Sequence, residues 1–209
     1  MARLVVPLLF VAGWVVYFID RRYYGDISEE DQLVNWLTVV GLAIAAILAA
    51  RIALRFRGRP EHRPRFFAAF ALACAFFAME EMDWGQRVIG VKTPRVIRRH
   101  NTQGEINLHN SIRHFLDIKT KHVAGVVLFA WGVWLPRRRK DHALRAWLER
   151  RGVVFPDRAQ LLDFALPVVL MIDEPTGREE EYGELLFSLA FIRFIGRRDP
   201  GQEADGDPG

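Results

Sequence analysis

The sequence predicts an all-α integral membrane protein with about six transmembrane helices, and the distribution of hydrophobic residues is the main reason. Hydrophobic residues make up 51% of the 209 residues and charged residues 26%, so the mean hydropathy is only +0.04. That average hides a segregation, because apolar runs almost free of charge alternate with loops dense in arginine. Such segregation is typical of polytopic membrane proteins. The run Gln32–Ala50 holds nineteen uncharged residues, enough to cross a hydrocarbon core of about 30 Å.

One membrane domain is predicted over residues 1–195, followed by a disordered tail over 196–209 that is rich in Gly, Pro and Asp. Four spans are strongly apolar. The last two are weaker, because one carries Asp163 and the other carries Glu184 and Arg193. These two segments either both cross the membrane or form a hydrophobic hairpin that only dips into it. We expect Ser28 to cap the second span. The predicted spans are 4–19, 32–54, 66–84, 123–136, 159–172 and 180–195.

The distribution of basic residues predicts the topology. Arg and Lys crowd beside the helix ends after spans two, four and six, which places those loops and both termini in the cytoplasm. A cytoplasmic amphipathic helix is expected over 141–152. The loops after spans one, three and five then share the outer face, where short interfacial helices form an outer cap over 85–122. The net charge of +4 favours anionic lipid headgroups over nucleic acid, because the basic residues adjoin apolar runs.

The stretch from Glu80 to His122 concentrates the candidate chemistry. Glu80 and Glu81 follow an apolar run directly, and carboxylates at a membrane boundary are unfavourable unless they are protonated, paired or metal-bound. Glu105 and His109 are four residues apart and share a face on a helix, a spacing that can present one oxygen and one nitrogen ligand to a metal. We therefore predict one divalent metal ion as cofactor. The candidate catalytic residues are Glu80, Glu81, Glu105 and His109, and the candidate metal ligands are Glu81, Asp83, Glu105 and His109.

Structural roles for the same residues remain open at this point. Glu105 could close a capping box with Thr102, and His109 could be an interfacial histidine bonded to a carbonyl or a carboxylate. Arg87 could brace the loop by pairing with a glutamate. Trp84 could belong to the aromatic belt at the membrane interface. The side-chain amides could bind a sugar or phosphate headgroup or satisfy a re-entrant loop. The candidate substrate-binding residues are Trp84, Gln86, Arg87, Asn101, Gln103, Asn107 and Asn110.

The central motifs resemble those of a family of small bacterial polytopic membrane proteins. They read E-E-x-x-W-G-Q-R from Glu80, then Thr93-Pro94, then N-x-Q-G-E-x-N-L-H-N from Asn101. The acidic start of span two and the Glu-rich start of the last span are similar to that family too. The resemblance covers residues 25–195. It implies a multi-pass protein of the bacterial inner membrane, and it implies no activity.

Two function classes follow from these patterns. The first is a membrane-embedded, metal-dependent enzyme that acts on a lipid or lipid-linked headgroup at the outer face. The second is a non-catalytic accessory or scaffold subunit, in which the polar stretch docks other membrane protein subunits. A transporter ranks third, because only Asp163 is a charge deep in a span. The expected partners are membrane lipids and other membrane subunits, not nucleic acid.

Overall fold

A computed structural model describes residues 4–29, 32–86, 120–172 and 175–198, and within these ranges every regular element is helical. The all-α prediction is therefore confirmed for this part of the chain. The helices are α1 (Val5–Ile19), α2 (Arg21–Ile27), α3 (Leu33–Arg55), α4 (Pro64–Glu81), α5 (Thr120–Phe129), α6 (Leu135–Arg137), α7 (Ala143–Arg150), α8 (Leu161–Leu170) and α9 (Glu179–Gly196). A π-helical turn, Ala130–Trp134, joins α5 to α6, and 3-10 turns lie at Pro60–His62, Asp83–Gly85 and Arg158–Gln160.

The segments predicted as spans all coincide with helices, but only part of the membrane prediction is established. Among the described residues, α3 is the one helix long and apolar enough to cross a membrane. Helix α1 is apolar but has only fifteen residues. The amphipathic segment expected over 141–152 corresponds to α7. Most of the predicted outer cap, residues 87–119, and the tail from 199 lie outside the described residues.

Two helix ends differ from the sequence prediction. Helix α4 starts with Pro64 at its first position, as proline favours, but it stops at Glu81 rather than at residue 84. It stops there because the next turn has positive φ angles. The prediction that Ser28 caps the second span is wrong, since Ser28 ends the short helix α2 and α3 begins after Gln32. Helix α2 forms because the Asp20 carboxylate accepts a hydrogen bond from the backbone N–H of Tyr23 at 2.9 Å.

Helices α3, α4 and α9 form the centre of the bundle. Helix α3 packs against both α4 and α9, and α8 also packs against α9. Gly41 permits the α3–α9 contact, because a Cβ at this position would lie 2.2 Å from the hydroxyl oxygen of Ser188. Asn35 of α3 contacts the last residue of α4, so α3 begins at the end of the bundle where α4 finishes. Helix α9 also begins at that end, which we call the carboxylate end.

Aromatic side chains fill the opposite half of the bundle, which we call the basic end. Phe67 of α4 stacks on Phe194 of α9, with ring centroids 6.2 Å apart, and the indole of Trp131 packs edge-on against Phe194 at 5.1 Å. Beside them, Arg193 of α9 donates a hydrogen bond to the Asp163 carboxylate of α8. Two of the three charges that weakened the last two predicted spans therefore compensate each other.

Candidate functional site

Three glutamates converge at the carboxylate end. Glu81 is the last residue of α4, while Glu181 and Glu184 lie in the first turns of α9. One carboxylate oxygen from each side chain lies within 4.8 Å of the others, and all three residues are half-buried. Glu181 and Glu184 are three residues apart and share one face of α9, so a single helix presents both toward Glu81. We call Glu81, Glu181 and Glu184 the carboxylate cluster.

Helix α3 orients one member of the cluster. The side-chain amide of Asn35, which is buried, donates a hydrogen bond of 2.8 Å from Nδ2 to Oε2 of Glu81. Asn35 stands in the first turn of α3, so the N-termini of α3 and α9 both face these carboxylates. The positive ends of the two helix dipoles favour negative charge at this position.

The spacing of the carboxylate cluster has an electrostatic consequence. Three carboxylates this close repel one another, and a half-buried site screens that repulsion less than water does. Glu81 and Glu184 lie within hydrogen-bonding reach of each other. A proton shared by two of these carboxyl groups, or a cation between them, would relieve that repulsion. Oxygen ligands of this kind suit the hard cations Mg²⁺, Ca²⁺ and Mn²⁺.

Glu179, at the start of the same helix, has a different role. It is buried, and its carboxylate accepts hydrogen bonds from the hydroxyl of Thr176 at 2.6 Å and from the backbone N–H groups of Thr176 and Gly177 at 3.1 Å. Glu179 therefore fixes the turn before α9 and positions the cluster from outside it.

The chain leaves α4 through a left-handed turn that adjoins the cluster. Asp83, Trp84 and Gly85 have φ angles of 47°, 56° and 76°. Such angles cost about 1–2 kcal/mol for each non-glycine residue, so tertiary contacts must hold the turn. The indole N–H of Trp84 donates to Glu80, and its ring packs edge-on against Phe76 at 5.7 Å. Backbone strain of this size is concentrated at functional sites in proteins.

The structure places some of the predicted site residues and leaves others outside the described ranges. Glu81 belongs to the carboxylate cluster. Glu80 holds Trp84, Asp83 is buried in the left-handed turn, and Gln86 follows that turn half-buried. Glu80 and Asp83 do not join the three-carboxylate group found among the described residues. The remaining candidates lie outside those residues: Arg87, Asn101, Gln103, Glu105, Asn107, His109 and Asn110.

Sequence reasoning did not name Asn35, Glu181 or Glu184 as site residues. The sequence contains a signal for the two glutamates, since they stand three apart at the acidic start of a predicted span. Asn35 is an amide within an otherwise apolar run, which also indicates a buried partner. Nothing in the sequence indicated that the start of α9 packs beside the end of α4.

Comparisons of the chain with known protein families, with curated proteins and with solved structures found no match. The family resemblance of the central motifs therefore stays a prediction, and the function has to be argued from the site itself.

Proposed function

We propose that this chain is a multi-span protein of the bacterial inner membrane whose carboxylate end binds one divalent cation and acts as a metal-dependent enzyme on a lipid or lipid-linked headgroup. The observation that carries the proposal is the convergence of Glu81, Glu181 and Glu184 at the end of a bundle with an apolar exterior.

The polarity of α3 supports a lipid environment. Its outer face carries large aliphatic side chains, among them Ile47, which is 61% exposed, and Leu54, which is 72% exposed, whereas the polar residues Asn35 and Thr38 are buried beside aliphatic ones. A surface helix of a water-soluble protein instead turns polar and charged side chains outward. Aliphatic residues outside, with polar and small residues such as Gly41 at the contact between helices, are expected of a helix that packs in lipid.

The exterior of neighbouring helices supports the same environment. Phe18 of α1 is 73% exposed, Leu72 of α4 is 74% exposed and Val126 of α5 is 68% exposed. Large apolar side chains are thus exposed on four helices, which is the exterior expected of a bundle surrounded by lipid. The six-span arrangement, with both termini in the cytoplasm, remains part of the proposal.

The chemistry of the cluster supports cation binding. A divalent cation would offset most of the negative charge of three carboxylates, and the Asn35 amide fixes the orientation of one of them. Three protein oxygens leave coordination positions for water and for a substrate oxygen, which is the arrangement that a catalytic metal requires. Glu105 and His109, which the sequence predicts as ligands, lie outside the described residues. Helix ends are also where lipid headgroups lie.

The first experiment measures Mn²⁺ binding to metal-stripped, full-length protein in detergent by calorimetry. We expect one ion per chain, and we expect Glu184→Gln and Glu81→Gln to weaken binding by about tenfold or more, because each removes an anionic ligand without changing the side-chain shape. Glu61→Gln is the matched control, since Glu61 is an exposed carboxylate at the basic end. Circular dichroism checks that each variant is folded.

The second experiment tests the activity. Wild-type protein with Mn²⁺ is incubated with a bacterial lipid extract, and mass spectrometry compares the lipids with those left by Glu81→Gln. Headgroup products that appear with wild-type protein but not with Glu81→Gln would support an enzymatic function. If folded wild-type protein binds no metal and instead co-purifies with a membrane partner that Glu81→Gln releases, the chain is an accessory subunit and the proposed activity is wrong.

A further inference from the structure

A second site lies at the basic end of the bundle. A cavity of about 820 Å³ opens there, bounded by the turn between α3 and α4, the chain after α6, helix α7 and the residues that follow α9. Phe67 lines the cavity and stands fourteen residues before Glu81 on α4, which separates the cavity from the carboxylate cluster by about 21 Å. The cavity is therefore distinct from the proposed metal site.

The lining of this cavity is strongly basic. Eight arginine and lysine side chains line it, together with only three carboxylates. Charges of one sign that converge on a concave surface raise the local concentration of the opposite ion and destabilise the empty protein by repulsion. An anion in the cavity would relieve that repulsion.

Two of the arginines are fixed in place by hydrogen bonds to the chain. Arg145 donates to the carbonyl of Arg138 at 2.6 Å and to the carbonyl of Pro136 at 3.2 Å, while its Nε donates to Glu149 at 2.9 Å. Arg198 donates to the carbonyl of Phe155 at 2.8 Å and to Asp157 at 2.7 Å. These contacts shape the wall of the cavity. A basic loop that served only to set membrane topology would need no such framework.

Three other cations on the lining differ from these two arginines. Lys140, Arg158 and Arg197 have no ion pair with any residue in the described ranges, and each is exposed. They come from three different chain segments, so the fold rather than local sequence brings them to one cavity. Although another nitrogen of Arg198 makes the two hydrogen bonds described above, its Nε is buried and has no hydrogen-bond partner among the described residues.

One wall of the cavity is apolar. Phe67 and Phe155 are buried side chains of this wall, and Val153 and Val154 extend it. The volume falls in the range of about 300–1,000 Å³ that small-molecule sites occupy, which exceeds the need of an inorganic ion. Guanidinium groups match phosphate oxygens in geometry, so a cationic lining beside an apolar wall suits an organic phosphate. We infer that this cavity binds a phosphate-bearing anion, supplied either by a lipid headgroup or by a soluble phosphate ester.

The test compares two ligands that carry the same phosphomonoester. Full-length protein in detergent is titrated with glycerol 3-phosphate by calorimetry and with phosphatidic acid in mixed micelles, with phosphatidylcholine as the neutral-headgroup control. Tighter binding of phosphatidic acid identifies a lipid as the source, and equal binding identifies a soluble ester. Absence of saturable binding of both ligands overturns the inference.

Matched charge variants locate the binding. The cavity variant Lys140→Gln/Arg158→Gln/Arg197→Gln should weaken binding by about tenfold or more, because it removes charge-assisted hydrogen bonds. The control variant Arg57→Gln/Arg59→Gln/Arg150→Gln removes three exposed charges from the same end but none from the lining, and it should change binding by less than about twofold. Equal losses in both variants would show a general charge effect and overturn the site. If the triple variant fails to fold, ligand binding is measured for the three single variants. Unchanged binding in all three would also overturn the site.

Discussion

Gly41→Ala tests the contact between α3 and α9, on which the carboxylate cluster depends. The added Cβ would lie 2.2 Å from the Oγ of Ser188, where ordinary contacts are 3.4–4 Å. Rotation of the hydroxyl does not solve the clash, because the Cβ of Ser188 would still be 2.8 Å away. Rotation would also break the bond that this hydroxyl donates to the Leu185 carbonyl at 2.7 Å. The two helices must therefore move apart.

We expect Gly41→Ala to lower the free energy of unfolding by about 1–3 kcal/mol, the usual effect of overpacking a close contact. Thermal unfolding in detergent, followed by circular dichroism, measures the change. Gly58→Ala is the control, since a Cβ there would meet nothing within 4 Å, and its effect should stay within about 0.5 kcal/mol.

A second substitution separates the contact from the general effect of a new methyl group. Ser188→Gly removes both clashing atoms, so Gly41→Ala/Ser188→Gly should recover most of the loss, less about 1 kcal/mol for a glycine inside a helix. Gly41→Ala should also weaken Mn²⁺ binding, because α3 holds Asn35 against Glu81. If Gly41→Ala and Gly58→Ala unfold at the same temperature, α3 and α9 do not meet at this position.

Two further predictions concern the interior of the bundle. Asp163→Ala should lower the free energy of unfolding by about 3–5 kcal/mol, because it leaves the half-buried guanidinium of Arg193 without its counter-charge. Asp163→Ala/Arg193→Leu should restore at least half of that loss in thermal unfolding, and a double variant less stable than either single variant would contradict a compensated pair. Cys74, the single cysteine, is 3% exposed, so N-ethylmaleimide should modify its thiol slowly in the native protein and faster in Gly41→Ala. Mass spectrometry measures the rate of modification. Rapid modification of the native protein would show that α4 is not packed as described.

The positions of the main helices could be predicted from the sequence, because long apolar runs bounded by charged loops and by Pro or Gly mark where helices begin and end. The end of α4 could not be predicted in the same way. Glycine favours positive φ, but tryptophan does not, and Trp84 adopts it because Glu80 and Phe76 hold its ring. A prediction from local sequence preference therefore placed the end of α4 three residues beyond its observed end.

The candidate site was predicted only in part, for a related reason. Spacing along one helix identifies residues that share a face, as Glu181 and Glu184 do, but it carries no information about which helix packs opposite. The packing of α9 beside α3 is set by Gly41 and Ser188, which are unremarkable in sequence. The arginines at the basic end likewise indicate a topology in sequence and reveal a shared cavity only in the fold.

The π-helical turn Ala130–Trp134 sets the phase of the helix that contains it. A π turn accommodates one residue more than an α-helical turn, so the residues on either side are rotated by about 100° relative to an uninterrupted helix. This phase brings Gly132 against Phe164 and lets the Trp131 indole donate to the Val154 carbonyl at 2.9 Å. Deletion of one residue from the turn would leave a regular helix of acceptable composition, yet it would rotate Leu135, now buried, out of the core. In this segment the number of residues is constrained as tightly as their identity.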